Sequence, residues 1–301
     1  MASFLISVPG AVAQGIIWGI MAIGVYITYR ILDFADLTVD GSLGTGGAVF
    51  AMCTIGGMNV YLAMLIAFIA GGIAGLATGI FHTVFGIPPI LAGILTQLAL
   101  YSVNLDIMGQ SNQALNPSNY NFLVNILEYK KSIIVGLIFV AVIVAVLYWF
   151  FGTELGHSIR ATGNNQNMAR ANGINTNVNK VIALVISNGI VALSGALLSQ
   201  YQGFADINMG RGAIVIGLAA VIIGEVIFGK LFKNFALKLI AAVFGGVVYY
   251  IVITLVISLG LPANDLKLFS ALVVAVFLGV PYWKNKVVHK KVKAKEGTAN
   301  A

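Results

Sequence analysis

Apolar residues run along this chain in long stretches broken by short polar joints. Nine stretches can be drawn, at residues 11–29, 39–56, 59–81, 88–109, 132–152, 179–201, 212–229, 236–260 and 268–283. An α-helix needs about 20 apolar residues to cross a bilayer, and most of these stretches are near that length. An open strand could not satisfy its backbone in lipid, so all nine are expected to be helices. Two are irregular. The second is short, rich in glycine (Gly41, Gly44, Gly46, Gly47) and preceded by acids. The fourth opens on Pro88-Pro89, which places a break between His82 and Ile90. Interrupted helices at membrane depth must lie against protein or water, so these two segments are the expected lining of a pathway.

Composition agrees with the pattern. Of 301 residues, 59% are hydrophobic and 9% are charged, against about half and a quarter in soluble chains. The mean hydropathy is +0.96. These values exclude a disordered chain, a collagen-like fibre, a disulfide scaffold and an ordinary water-soluble enzyme. The expected class is all-α: a polytopic membrane bundle of about 8–10 helices, with the second and fourth broken or re-entrant. Residues 1–286 would form the membrane domain and 287–301 a polar, basic tail. The lone Cys53 cannot form an intrachain disulfide. Ala11-Val12-Ala13 resembles a signal-peptidase site, but no Lys or Arg precedes it and the apolar run continues, so a mature first span is expected.

Charge sets an expected orientation. The net charge is +7, and six lysines lie in the tail from Lys284. With the tail in the cytoplasm, counting back through the spans places Arg30, Arg160, Arg170, Lys180, Lys230, Lys233 and Lys238 inside as well. That is 13 of 17 basic residues, with Lys130, Lys131, Arg211 and Lys267 outside. The N-terminus is then outside.

Several polar groups are candidates for chemistry. Gly224–Leu231 nearly matches a phosphate loop, but Leu231 stands where a magnesium-binding Ser or Thr belongs, and the segment is apolar. It reads as a helix end with an interfacial lysine. Glu225 lies about one turn inside its span, and an isolated charge there costs about 2.5–3.5 kcal/mol or more. It lines the pathway, pairs with a cation from another helix or the dimer mate, or snorkels to the interface; Lys230 is five residues on and off its face. Asp33, Asp36 and Asp40 would share one helix stripe, to hold a cation or to support the Gly-rich half-helix, with Asp40 its N-cap. Gln97 and Asn104, seven apart, share a face with Asp106 nearby; with Asn188 they could meet a solute in transit. These groups, like Ser187, Ser194 and Gln200, could equally bond helix to helix. Outside, Asn116 and Asn119 of an Asn-rich loop, with Asp206 and Arg211, would face a partner or solvent. His82, His157 and His289 are scattered, and no metal or catalytic set can be assembled.

The inner loop at about 153–179 is long and polar. Asn164 or Asn165 can cap a short helix, and Gly173 can end it in a left-handed conformation. It is either a knob for a cytoplasmic partner or a plain connection. Arg160-Ala161, Met168-Ala169 and Gly173-Ile174-Asn175 closely resemble the coupling segment of ABC-importer permeases of the branched-chain amino acid and ribose type. The likeness extends along most of the chain, including Gly19–Leu43 and Ile207–Lys230. It is strongest to the branch found beside lipoprotein binding proteins for aromatic amino acids and similar solutes. One departure is Gly224-Glu225, where the branched-chain branch has two glycines.

The resemblance implies a bacterial cell-membrane permease subunit of an ATP-driven importer for a small solute, an amino acid such as the aromatic ones. A second permease, most simply a copy of this chain, would complete the path at their interface. Two cytoplasmic ATPase subunits would each receive a coupling helix at Arg160, Asn164, Asn165, Met168, Ala169, Arg170, Gly173 and Ile174. An extracellular binding lipoprotein would deliver the solute. The chain itself would carry no cofactor and no enzymatic activity; ATP and Mg would belong to the ATPase, and nucleic acid would have no part. The alternatives are an ABC importer for a nucleoside or sugar, a stand-alone secondary transporter or channel, and an intramembrane enzyme.

Overall fold

The computed structural model describes residues 2–117, 120–229, 232, 234–258 and scattered positions between 268 and 279. Asn119, Lys230, Leu231, Lys233, Lys267 and the tail from Lys284 lie outside the described residues, as does most of the ninth stretch.

The described residues are helical almost throughout. In order it forms α1 (Ala2–Tyr26), α2 (Thr38–Ile55), α3 (Val60–Thr83), α4 (Pro89–Met108), α5 (Tyr129–Phe150), α6 (Glu154–Asn164), α7 (Gln166–Ala171), α8 (Thr176–Gln202), α9 (Ala213–Phe228) and α10 (Phe235–Ser258). Two three-residue strands, β1 (Asn112–Ala114) and β2 (Phe204–Asp206), pair antiparallel with Asn112 opposite Asp206. Six described helices are long and apolar enough to cross a membrane; α2 and α9 are shorter inserts among them.

Two helices form the axis of the bundle. Ser7–Ile31 and Thr176–Gln202 are buried over most of their length, while α3, α4, α5 and α10 turn large apolar faces outward. Leu65, Ile69, Ile73, Ile138, Val142 and Trp149 are among the exposed side chains. Such a surface would aggregate in water and is at home in lipid.

Glycine sets how closely the helices approach. Gly71, Gly75 and Gly79 fall at four-residue intervals on α3 and bring its backbone against Leu184, Asn188 and Val181 of α8. Gly46 of α2 does the same against Ala192, and Gly195 of α8 against Leu43. Short polar side chains then bridge helices: Ser187 donates to the Gly24 carbonyl at 2.8 Å and Ser194 to that of Ile17 at 2.7 Å.

The second span is interrupted as expected, but the acidic stripe does not form. The end of α1 winds into a π-turn at Ile27–Ile31, and Asp33 then takes a left-handed conformation with φ 53°. The chain resumes as a helix only at Thr38, so Asp33, Asp36 and Asp40 point to different surroundings. Asp36 is 2% exposed; its carboxylate accepts the Thr38 N–H at 3.0 Å and Asn188 Nδ2 at 2.8 Å. Asp40 sits inside the first turn of α2 and does not cap it; the N-cap is Leu37.

The fourth span is continuous once it starts, with Pro88 as N-cap and Pro89 in the first turn. The second interruption falls on α9 instead. Gly41 lies against the backbone of Gln97, eight residues or about 12 Å along α4, and Gly210 lies against Asp40. The segment after β2 therefore descends roughly half-way into the bundle before α9 begins. Asp40 caps that buried helix start.

Candidate functional site

The carboxylate of Asp40 accepts the Gly212 N–H at 2.9 Å and the Ile214 N–H at 2.8 Å. These are free donors at the positive end of α9, which explains why an acid is tolerated at this depth. Beside it opens a cavity of about 380 Å³, lined by Asp40, Gln97, Tyr101, Asn104, Ile207 and Arg211. The Arg211 guanidinium lies 5.8 Å from the centre of the Tyr101 ring. Gln97 and Asn104 thus meet in one space, as their spacing predicts. Asn188 is fully buried elsewhere, holding Asp36 and accepting the Ser42 hydroxyl at 2.6 Å. Neither Asp40 nor Tyr101 stood out in the sequence as part of this group, because their neighbours come from distant segments.

A second cavity, of about 750 Å³, opens at the end of α1 against α6 and the start of α10. Tyr26, Arg30, Asp33, Arg160, Asn164 and Lys238 line it. Arg30 Nε pairs with Glu225 at 2.9 Å at its edge, so another helix supplies the cation that Glu225 requires. The two side chains are 60% and 32% exposed, and solvent screens the pair. Glu225→Gln is therefore expected to cost no more than about 1 kcal/mol of stability, read as a small fall in melting temperature of the purified protein. A large fall would show that Glu225 holds more than Arg30.

The loop between α5 and α8 is more ordered than its polarity suggests. Thr153 accepts the Gly156 N–H and starts α6; Asn165 accepts the Met168 N–H at 3.0 Å and starts α7; Asn175 does the same for α8. Gly173 follows α7 with φ 77°. Within α7, Ala169 is fully buried and Met168 is 46% exposed, so the helix presents one apolar knob on a firm base. Arg170 Nε donates to Thr176 Oγ1 at 3.0 Å, and Asn179 Nδ2 donates to Thr162 Oγ1 at 3.0 Å. Both bonds tie the loop to α8. Arg160 lies with its guanidinium 4.2 Å from the Phe235 ring centre and 5.4 Å from that of Phe151. Ile174 is half-buried behind α7, and Asn164 is exposed.

At the other end of the bundle Asp206 accepts from Asn112 Nδ2 at 3.3 Å and from the Asn208 N–H at 2.6 Å. It joins the two strands, with Asn116 exposed on the same loop. Arg211 is exposed and also lines the 380 Å³ cavity.

Residues 8–281 match the family described as branched-chain amino acid transport system, permease component. The chain belongs to that family. It is 42% identical over 265 residues to a tyrosine transport system permease protein of Clostridioides difficile (strain R20291), covering 88% of each chain. It is 36% identical over 270 residues to the uncharacterized protein RP368 of Rickettsia prowazekii (strain Madrid E), covering 89% of this chain and 95% of that one. A third relative is the galactofuranose transporter permease protein YtfT of Escherichia coli (strain K12). It is 26% identical over 267 residues, covering 87% of this chain and 76% of that one. The permease is a multi-pass protein of the cell membrane and the membrane subunit of an ABC importer, not an enzyme. Such a subunit works with an ATPase and a binding protein.

Proposed function

We propose that this permease imports an amino acid, of the aromatic class, through a path completed by a second copy of the chain. The observation that carries the substrate class is the cavity beside Asp40. It offers a carboxylate, a guanidinium, two side-chain amides and a phenol ring in about 380 Å³, within the range of small-molecule sites. Arg211 suits a substrate carboxylate and Asp40 an ammonium, while Gln97 and Asn104 supply neutral hydrogen bonds. The relative named for tyrosine transport supports the same reading, and the one named for galactofuranose marks the alternative.

In this reading the permease domain is 1–286 with its coupling segment at about 153–179, and 287–301 is a basic cytoplasmic tail. The N-terminus is outside and the C-terminus inside, in keeping with the 13 basic residues on the inner side. Each of two ATPase subunits takes one α7 knob, with Met168 inserted in a groove and Arg160, Asn164, Asn165, Ala169, Arg170, Gly173 and Ile174 holding its shape. A binding protein rests on the outer surface near Asn116, Asn119, Asp206 and Arg211.

The test is uptake by proteoliposomes holding the permease, its ATPase and its binding protein. ATP-dependent accumulation of labelled L-tyrosine or L-phenylalanine, and none of labelled galactose, is expected. Sugar uptake without amino-acid uptake would overturn the substrate class. Met168→Asp places a charge in the ATPase groove and should abolish copurification of the ATPase, leaving the permease itself folded. Copurification at the normal ratio would remove Met168 from the contact.

A further inference from the structure

Three cavities follow one another along the same face of the bundle. The outer one, at Asp40 and Arg211, measures about 380 Å³, and the inner one, at Arg30 and Asp33, about 750 Å³. Between them lies a space of only about 150 Å³, lined by Thr28, Phe34, Ala35, Asp36, Leu37, Ile214 and Leu218 and sharing Tyr29 with the inner cavity. The order along the face follows from two elements at once. Arg211, Ile214 and Leu218 descend along and just before α9 towards Glu225, which pairs with Arg30. Asp40, Leu37, Phe34 and Arg30 descend along the break before α2. A ligand site needs at least about 300 Å³, so the outer and inner spaces admit a solute and the middle one does not. The Thr28 hydroxyl and the Asp36 carboxylate are engaged in hydrogen bonds of their own, so the surface left facing the space is apolar and disfavours water and ions.

The plug is made by backbone that is not part of any α-helix. Leu32 donates to the Ile27 carbonyl at 3.0 Å and Phe34 to that of Thr28 at 2.9 Å, closing wide turns. Asp33 turns the chain left-handed. Single π-turns of this kind are frequent at functional sites. Phe34 rests edge-on against the His82 ring, centroids 5.1 Å apart, and His82 is held by Lys180 Nζ at 3.1 Å and by the Ile87 carbonyl at 2.8 Å. The plug therefore has one defined seat.

The coupling loop bears directly on it. Gly163, in the last turn of α6, lies so close to the Ile31 carbonyl that an added Cβ would collide with it, and that Cβ would stand 2.9 Å from Leu32 Cα. One residue, Asn165, ends α6 and caps α7, so the two short helices are joined without slack. A displacement of α7 is then carried through α6 to Ile31–Leu32 with no intervening side chain.

We infer that Ile31–Leu37 is the inner gate of the path and that Gly163 is the positioning residue through which the coupling loop works it. Displacing α6 draws Phe34 and Leu37 away from Ile214 and Leu218 and joins the outer and inner spaces. The inference rests on the cavity beside Asp40 being part of the path.

The test uses the complete importer in proteoliposomes, in a Cys53→Ser background. Gly163→Val is expected to lower transport about tenfold or more, a coupling loss in the ordinary range, while ATPase copurification and ATP hydrolysis persist. A merely structural residue would lower all three together. Transport at the normal rate by Gly163→Val would overturn its role. The double variant Phe34→Ala and Leu37→Ala widens the plug and does not depend on Gly163. It is expected to let labelled substrate equilibrate across the membrane without ATP, and a tight, leak-free double variant would overturn the gate. A third protein, Gln97→Cys treated with a bulky thiol reagent, separates the two readings. If the reagent leaves transport unchanged, the path itself lies elsewhere. If it blocks transport while both other proteins behave as wild type, the path stands and the gate falls.

Discussion

Gly46→Val is expected to remove most of the folded permease from the membrane. A Cβ at this position would collide with the Ala192 carbonyl oxygen and stand 2.5 and 2.6 Å from the Ala192 carbonyl carbon and Cα. All three are backbone atoms of a helix and cannot rotate aside. Overpacking against mobile side chains costs about 1–3 kcal/mol. Here α2 and α8 must separate, which also stretches the Ser42–Asn188 hydrogen bond, worth a further ~1 kcal/mol. The total is about 3 kcal/mol or more, a large share of the ~5–15 kcal/mol that holds a typical domain. Size-exclusion profiles of detergent extracts should lose most of the monodisperse peak. Gly72→Ala is the contrast, since its Cβ would meet a Val185 methyl at 3.4 Å and the Val185 carbonyl oxygen at 3.7 Å, both ordinary contacts. A normal profile for Gly46→Val would mean that the two helices are not in backbone contact.

The second large effect is expected from Asn188→Leu. Asn188 is the hinge of a buried polar set: its Nδ2 serves Asp36 and its Oδ1 takes the Ser42 hydroxyl. Leucine fills about the same space but leaves a fully buried carboxylate oxygen and a hydroxyl without partners. Each buried polar group left without its partner costs about 1–3 kcal/mol, so the two together cost about 2–5 kcal/mol. The purified protein should melt well below wild type. Asp36→Leu combined with Asn188→Leu should recover part of the loss, since no orphaned charge then remains. A single variant that melts normally would show that Asp36 finds other partners.

Much of the architecture is legible in the sequence. The runs at 59–81, 88–109 and 179–201 became Val60–Thr83, Pro89–Met108 and Thr176–Gln202. The break at the second span, the Asn165 cap and the Gly173 stop were also readable, because each depends on one or two residues and their neighbours. Helix α6 was missed. Its segment, with Gly156, Thr162 and Gly163, has weak helix propensity, and only Thr153 ahead of Leu155, Ile159 and Thr162 hinted at a capped amphipathic turn. The acidic stripe was read by assuming helical periodicity through Asp33, where the backbone in fact reverses. The interval of four between Gly71, Gly75 and Gly79 was present as a signal and marks the closest contact of α3 with α8.

What this chain determines by itself is the solvent it folds in and where it crosses it. Low charge and long apolar runs act locally, since each span must satisfy its own backbone and present its own surface to lipid. The caps of the inner loop act locally too. Only the tertiary structure decided the partners of the few charges. Asp40 caps a helix start 174 residues away, Glu225 finds Arg30, and Asp36 finds Asn188. It also decided which glycines touch, that three cavities follow one another along one face, and that Gly163 lies against Ile31. These pairings depend on how helices far apart in sequence come to lie side by side, and no local pattern carries that information.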